Sequence, residues 1–362
     1  MKLLKLLIFL LITVIFSDVS AQTFQIQKGK NISHWLSQSK RRGEERKEFF
    51  TKNDVEFIAG IGFDHIRIPI DEEQMWDEKG NKEPEAFQLL HNAIEWSRQS
   101  NLKVIVDLHI LRSHYFNAEE KPLFTDPKAQ ERFYQCWADL SGELKKYPNT
   151  LVAYELMNEP VADDPEDWNR IVRESVKRLR VLEPNRVIVI GSNRWQHYDT
   201  LKDLYVPEND KNIILSFHFY NPMLLTHYRA SWVNFGDYQG PVNYPGQLVD
   251  SKHLSGLSED LRKKVEQNNG VYNKARIEKM IAEAVAVAKK HNLPLYCGEW
   301  GAYEKAPREP RLQWYRDMVD VLNKNNIAWT TWDYKGGFGI VDAKGNKDEQ
   351  LINVLTGKEK KM

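Results

Sequence analysis

Cysteine is nearly missing from this 362-residue chain: only Cys136 and Cys297 occur. Two cysteines make no disulfide framework, and a chain this long builds a core without one, so both read as free, buried thiols. Nor do they form a cluster with zinc-ligand spacing, so nothing here suggests a metal. Net charge is missing as well. Lys plus Arg and Asp plus Glu both number 51, giving a formal net charge of +0 at pH 7. With no overall field, neither nucleic acid nor an anionic membrane is an expected partner.

Long apolar runs are absent except at the start, where Met1-Lys2-Leu3-Leu4-Lys5 leads through apolar residues to Phe16 and then to Ser17-Asp18-Val19-Ser20-Ala21-Gln22. A basic start, an apolar core of about a dozen residues and a small-residue site are the order of a cleaved secretory signal. The run falls short of the roughly 20 residues a membrane-spanning helix needs. Residues 1–21 are therefore read as a signal peptide cut after Ala21, and the mature protein is expected to be secreted or periplasmic. No Pro/Ser/Gly linker or low-complexity tract divides residues 22–362, which read as one domain, expected to be a monomer.

What the chain does have is aromatic residues, 11% of the total with 11 tryptophans, enough for some to line a groove where flat rings meet flat ligands. It also has a repeating alternation of strand and helix. Strands are expected at 31–36, 65–70, 102–109, 151–157, 186–192, 212–220, 293–300 and 327–334. Helices fall between them, and an irregular, aromatic-rich insertion covers about 222–272. Eight strands alternating with helices point to an α/β fold closed as a (β/α)8 TIM barrel, in which functional groups gather at the carboxyl ends of the strands.

Those ends carry Arg67, His109, Asn158 with Glu159, His218 with Tyr220, Glu299, and Trp332. Leu151 to Pro160 is an apolar run that stops in Asn-Glu-Pro, and Leu293 to Gly301 carries a glutamate in the same grammar. Two carboxylates at like ends of two strands are what glycosidic cleavage uses, one to protonate the leaving oxygen and one to attack or to activate water. Glu155 shares parity with Glu159 but lies deeper, where a hydrogen-bonded structural role is expected. Glu304 reads as a solvated loop charge.

With these residues in order, the chain resembles glycoside hydrolase family 5, the cellulase family of retaining glycosidases. The likeness rests on Val152 to Val161 around Asn-Glu-Pro and on Arg67, His109, His218, Tyr220, Glu299 and Trp332. The resemblance implies that Glu159 is the acid/base and Glu299 the nucleophile, with a carboxyl separation of about 5 to 5.5 Å rather than the roughly 6.5 to 9.5 Å of inverting enzymes. It further implies that Asn158 binds the sugar 2-hydroxyl, that His109 and His218 serve the central subsite, and that Trp332 is a stacking floor. The double-displacement mechanism that it implies requires neither a metal nor an organic cofactor. His34 and Trp35 are placed at the same cleft, Trp35 equally as a core residue, while Trp195 and Trp232 are candidates for more distant subsites. The expected substrate is a β-glucan or a related plant-type polysaccharide, cleaved by an endo-β-1,4-glucanase. A β-mannanase or β-1,3-glucanase is the alternative within the family. A non-catalytic carbohydrate-binding barrel is the alternative of another class, and whether the insertion walls off the cleft for exo action is open.

Overall fold

The computed structural model describes residues 24–359, so the leader read over residues 1–21 lies outside the described residues. Eight parallel strands close into a barrel: β1 (Lys28–Asn31), β2 (His65–Asp71), β3 (Lys103–Ile110), β4 (Val152–Glu155), β5 (Ile188–Gly191), β6 (Ile213–Phe219), β7 (Leu295–Trp300) and β8 (Ala328–Thr331). Each pairs with its neighbour in sequence, and β1 closes the ring on β8 with Lys28 opposite Trp329 and Lys30 opposite Thr331. The expected α/β barrel is the observed fold.

Strand alternation makes two cores. Outward residues such as Ile66, Ile68, Val104, Val106, Val152 and Ile188 belong to the large cluster between strands and helices. Inward residues Ile105, Ala153, Val189, Ile214 and Tyr296 pack with Phe24 in the barrel interior. Gly29 is there for space: a Cβ at that position would strike the His65 ring, which fills the interior below Arg67. The helices follow ordinary rules. Pro127–Leu144 and Pro165–Leu182 both start with proline in the first turn and an aspartate cap, Asp126 or Asp164, accepting a backbone N–H.

Two expectations need correction. The first strand is Lys28–Asn31 rather than 31–36, because its inward positions are a glycine and an asparagine and give no apolar alternation. The chain then bends through left-handed His34 and Gln38 (φ 56° and 49°), so His34 and Trp35 stand on the loop after β1. The 222–272 insertion is less irregular than expected. It holds short helix Met223–Thr226, helix Glu259–Asn268 capped by Ser258, and a two-stranded antiparallel ladder of Gly246–Gln247 with Val271–Tyr272. The longer helix buries only Val265, too little apolar pattern to read in advance. Both cysteines are free and buried. No helix among the described residues is long and apolar enough to cross a membrane.

Candidate active site

Above Tyr296 and Ile105 the barrel interior turns polar, and strand register decides which side chains meet. Arg67 lies beside Asn31 on β1 and Ile105 on β3, while Asp107 lies beside Glu155 on β4. Arg67, fully buried, is the hub. Its Nε donates to Glu155 Oε2 at 2.7 Å and its Nη1 to Asn31 Oδ1 at 2.9 Å and Glu299 Oε1 at 2.8 Å. Its Nη2 reaches Asn158 Oδ1 at 2.9 Å and Asp107 Oδ2 at 3.0 Å. One guanidinium thus faces three buried carboxyl groups, and their charge raises its own affinity for the proton against the effect of burial.

Glu299 reaches the cleft because register shifts between Phe217 and His218, which sets His218 opposite Glu299. Tyr220 donates its hydroxyl to Glu299 Oε2 at 3.0 Å. Burial raises the Glu299 carboxyl, whereas Arg67 and the Tyr220 hydrogen bond pull it back. The Tyr220 phenol, raised well above its usual range by burial and by Glu299, stays a donor.

Glu159 has a different environment. Burial raises its carboxyl well above the usual range, the charge of Glu299 raises it further, and Arg67 opposes without touching it. One carboxylate oxygen of Glu159, one of Glu299 and a ring nitrogen of His218 all lie within 4.8 Å of one another. Like charges this close cannot both ionise easily, so the shared proton resides on Glu159, the partner without the cation. His218 Nδ1 is 3.0 Å from Glu159 Oε1, and burial, followed by the charge of Arg67, keeps the ring neutral. The same three donor atoms are a set a cation would use. His218 is already engaged with Glu159, and Arg67 supplies positive charge at Glu299.

The remaining expected residues divide. His109 sets Nδ1 2.7 Å from Asp107 Oδ2 and lies parallel to Trp332, with centroids 5.6 Å apart and planes at 8°. Burial pushes His109 down to about 3, so it is a neutral ring. His34, 39% exposed in its side chain, meets Trp332 edge-on and places Nε2 3.6 Å from Asp333 Oδ2. Asn158 Nδ2 and His218 Nε2 are buried without a hydrogen-bond partner among the described residues. Trp35 does not join the cleft. It is wholly buried, donates Nε1 to the Arg46 carbonyl and packs on Phe50, because the loop after β1 turns its ring into the core. Glu155 is the buried, hydrogen-bonded group that its depth suggested, and Glu304 is exposed. Trp195 and Trp232 are 45% and 56% exposed. The first donates to the Phe116 carbonyl and the second stands edge-on to Tyr303.

Four residues at the site were missed in the sequence: Asn31, Asp107, His114 and Gln196. Asp107 carried a signal, since it shares strand parity with His109; the others sit on a polar strand end or in loops and carried none of their own. Burial raises Asp107 to about 7 while Arg67 opposes.

Known proteins match this chain and its fold. The model of the cellulase family, glycosyl hydrolase family 5, covers residues 20–337. Endoglucanase C of Acetivibrio thermocellus is 32% identical over 336 residues, 90% of this chain and 97% of that protein. Cellodextrinase A of Ruminococcus flavefaciens is 30% identical over 84% of each chain. The crystal structure of endoglucanase Cel5A from Thermotoga maritima superposes with a TM-score of 0.73 at 27% identity, covering 91% of this chain and 96% of the other. A closed parallel barrel with two glutamates facing each other at its mouth, matched along nearly its whole length, makes this chain a glycoside hydrolase belonging to glycosyl hydrolase family 5, the cellulase family.

Proposed function

We propose that the protein is a retaining endo-β-1,4-glucanase, with Glu299 as nucleophile and Glu159 as acid/base. The observation that carries the reading is the approach of one carboxylate oxygen of each to within 4.8 Å, in keeping with the roughly 5 to 5.5 Å separation of retaining pairs rather than the roughly 6.5 to 9.5 Å of inverting ones. In the first step Glu299 attacks the anomeric carbon while the bond to the leaving oxygen breaks and takes the Glu159 proton. In the second, water attacks the glycosyl ester, gives its proton to Glu159 and releases Glu299. Asn158, with its amide held by Arg67 through Oδ1, presents its Nδ2 donor to the sugar 2-hydroxyl, and Trp332 provides the floor beside it.

Activity then requires Glu159 protonated and Glu299 ionised. Rate falls as pH rises through the raised Glu159 carboxyl and falls as pH drops through that of Glu299. The β-1,4-glucan choice is supported by the relatives named as endoglucanases. Thermotoga maritima Cel5A, 26% identical, has also been crystallised in complex with mannotriose, so mannans belong in the test. Cleavage by residues 22–362 after export as a mature enzyme is part of the same proposal.

The test is release of reducing ends from barley β-glucan, carboxymethylcellulose, xyloglucan, glucomannan, galactomannan and laminarin, with Glu299→Gln as the blank, and with the anomer of the first product followed by NMR. A β-anomer released from a β-1,4-glucan is expected. An α-anomer overturns retention, and binding without turnover returns the chain to a carbohydrate-binding barrel.

A further inference from the structure

Glu159 does not sit on a strand. It lies four residues beyond the end of β4 with φ 45°, a left-handed conformation that an L-residue adopts only when its surroundings hold it. Two side chains grip its peptide groups. His114 Nε2 donates to the Glu159 carbonyl at 3.1 Å, and Gln196 Oε1 accepts from the Glu159 N–H at 2.9 Å.

Gln196 is itself an unusual residue. It is fully buried and closes a run of three left-handed residues, Arg194, Trp195 and Gln196, with φ 54°, 62° and 51°. This run is clipped onto the Asn-Glu-Pro loop, since the Trp195 N–H donates to the Pro160 carbonyl at 3.2 Å. Gln196 Nε2 donates to Glu155 Oε1 and Ser216 Oγ, each at 3.2 Å. The space for its amide exists because residue 191 is glycine; a Cβ there would collide with the Gln196 side chain. The backbone is therefore held in a costly shape that seats one amide between β4, β6 and the catalytic loop.

Following the bonds from the amide leads to the other carboxyl. Gln196 holds Glu155, Glu155 holds Arg67, and Arg67 holds Glu299. Resting on the reading of Glu159 as acid/base, we propose that Gln196 is a positioning residue that sets the placement of Glu159 relative to Glu299. It touches no reacting atom and acts through the Glu159 peptide.

The test separates proton delivery from everything else. A dinitrophenyl β-cellobioside needs no acid to expel its leaving group, and azide replaces the water that would need a base. In Gln196→Met, kcat on the preferred glucan should fall about 10- to 100-fold, the scale of a displacement near 1 Å, with KM within about twofold. The dinitrophenyl substrate with azide should lose less than about threefold. Both rates are read on one preparation, so their ratio is independent of the folded fraction. Gly191→Ala, which pushes the amide from the other side, should shift the ratio the same way, and Gln196→Asn should restore part of the loss. Equal losses on the two substrates, or no loss, overturn the proposal. Glu159→Ala is the control: if it too loses both rates equally, the acid/base reading has failed, whereas selective loss there with equal losses at Gln196 defeats the positioning role alone.

Discussion

Replacing Arg67 by Met removes the one cation that Asp107, Glu155 and Glu299 share and leaves the Oδ1 atoms of Asn31 and Asn158 without that donor. The volume is nearly kept, so the cost is electrostatic. Removing one partner of a buried ion pair costs about 3 to 5 kcal/mol, because the other charge stays buried and unpaired. Over an unfolding entropy of about 0.7 kcal/mol/K for roughly 340 residues, this lowers Tm by about 4 to 7 °C. The loss has a pH signature whose sign follows from the structure. Arg67 opposes the burial-driven rise of all three carboxyls, so without it each is held further above its unfolded value. The folded variant then binds more protons than the unfolded chain, and its stability falls as pH climbs from the ordinary carboxylate range through the folded values. The wild type has itself lost the Asp107 proton only above about pH 7, so the gap between wild type and Arg67→Met should widen from pH 7 toward pH 9 and narrow toward pH 5. Thermal melts by circular dichroism at half-unit pH steps measure it. A Tm difference below about 1.5 °C at pH 9, or one that widens on acidification, refutes the account of Arg67 as the charge hub.

Tyr220→Phe removes a donor that lowers the Glu299 carboxyl. The acid limb of kcat/KM should move to higher pH and kcat should fall about 10- to 100-fold, the loss of one hydrogen bond to a charged group; an unmoved acid limb counts against it. His109, pushed down to about 3, should keep the ring-nitrogen shifts of a neutral imidazole from pH 5 to 8 by NMR, even as Asp107 beside it titrates, and imidazolium-type nitrogen shifts inside that window contradict its burial. Trp35→Ala should cost about 3 to 5 kcal/mol in denaturant unfolding as a core truncation, with KM unchanged; a raised KM with intact stability returns Trp35 to the cleft.

The barrel was legible because its strands advertise themselves in different ways that agree. Val104-Ile105-Val106 and Ile213-Ile214-Leu215 are apolar on both faces, as strands between an inner and an outer core must be. Polar residues that interrupt such runs at their carboxyl ends had to face the interior at one height, which is why Arg67, His109, His218 and Glu299 were readable as one site. Lys28–Asn31 was not, since its inward positions are Gly29 and Asn31 and one of its two pairing partners lies at the far end of the barrel sequence, at Trp329 to Thr331. Gln196 was hidden for another reason. Its role comes from a left-handed backbone in a loop whose residues are ordinary L-amino acids, and only Gly191 hints that something approaches closely. Trp35 was ambiguous because an aromatic residue beside a cleft and one beneath it have the same sequence neighbours.

The closure of β1 on β8 has a consequence for how the molecule comes into being. β1 can pair with β2 early, but its partners on the closing side are Trp329 to Thr331, so almost the entire chain must leave the ribosome before the ring exists. Until then the early strands carry Arg67, Asp107 and Glu155 without Glu299, and the late strands carry Glu299 without its cation. Pairing across such a separation is slow because the loop is closed before contacts reward it. Hydrolytic power is therefore the last property the chain acquires, and it arrives together with the seam.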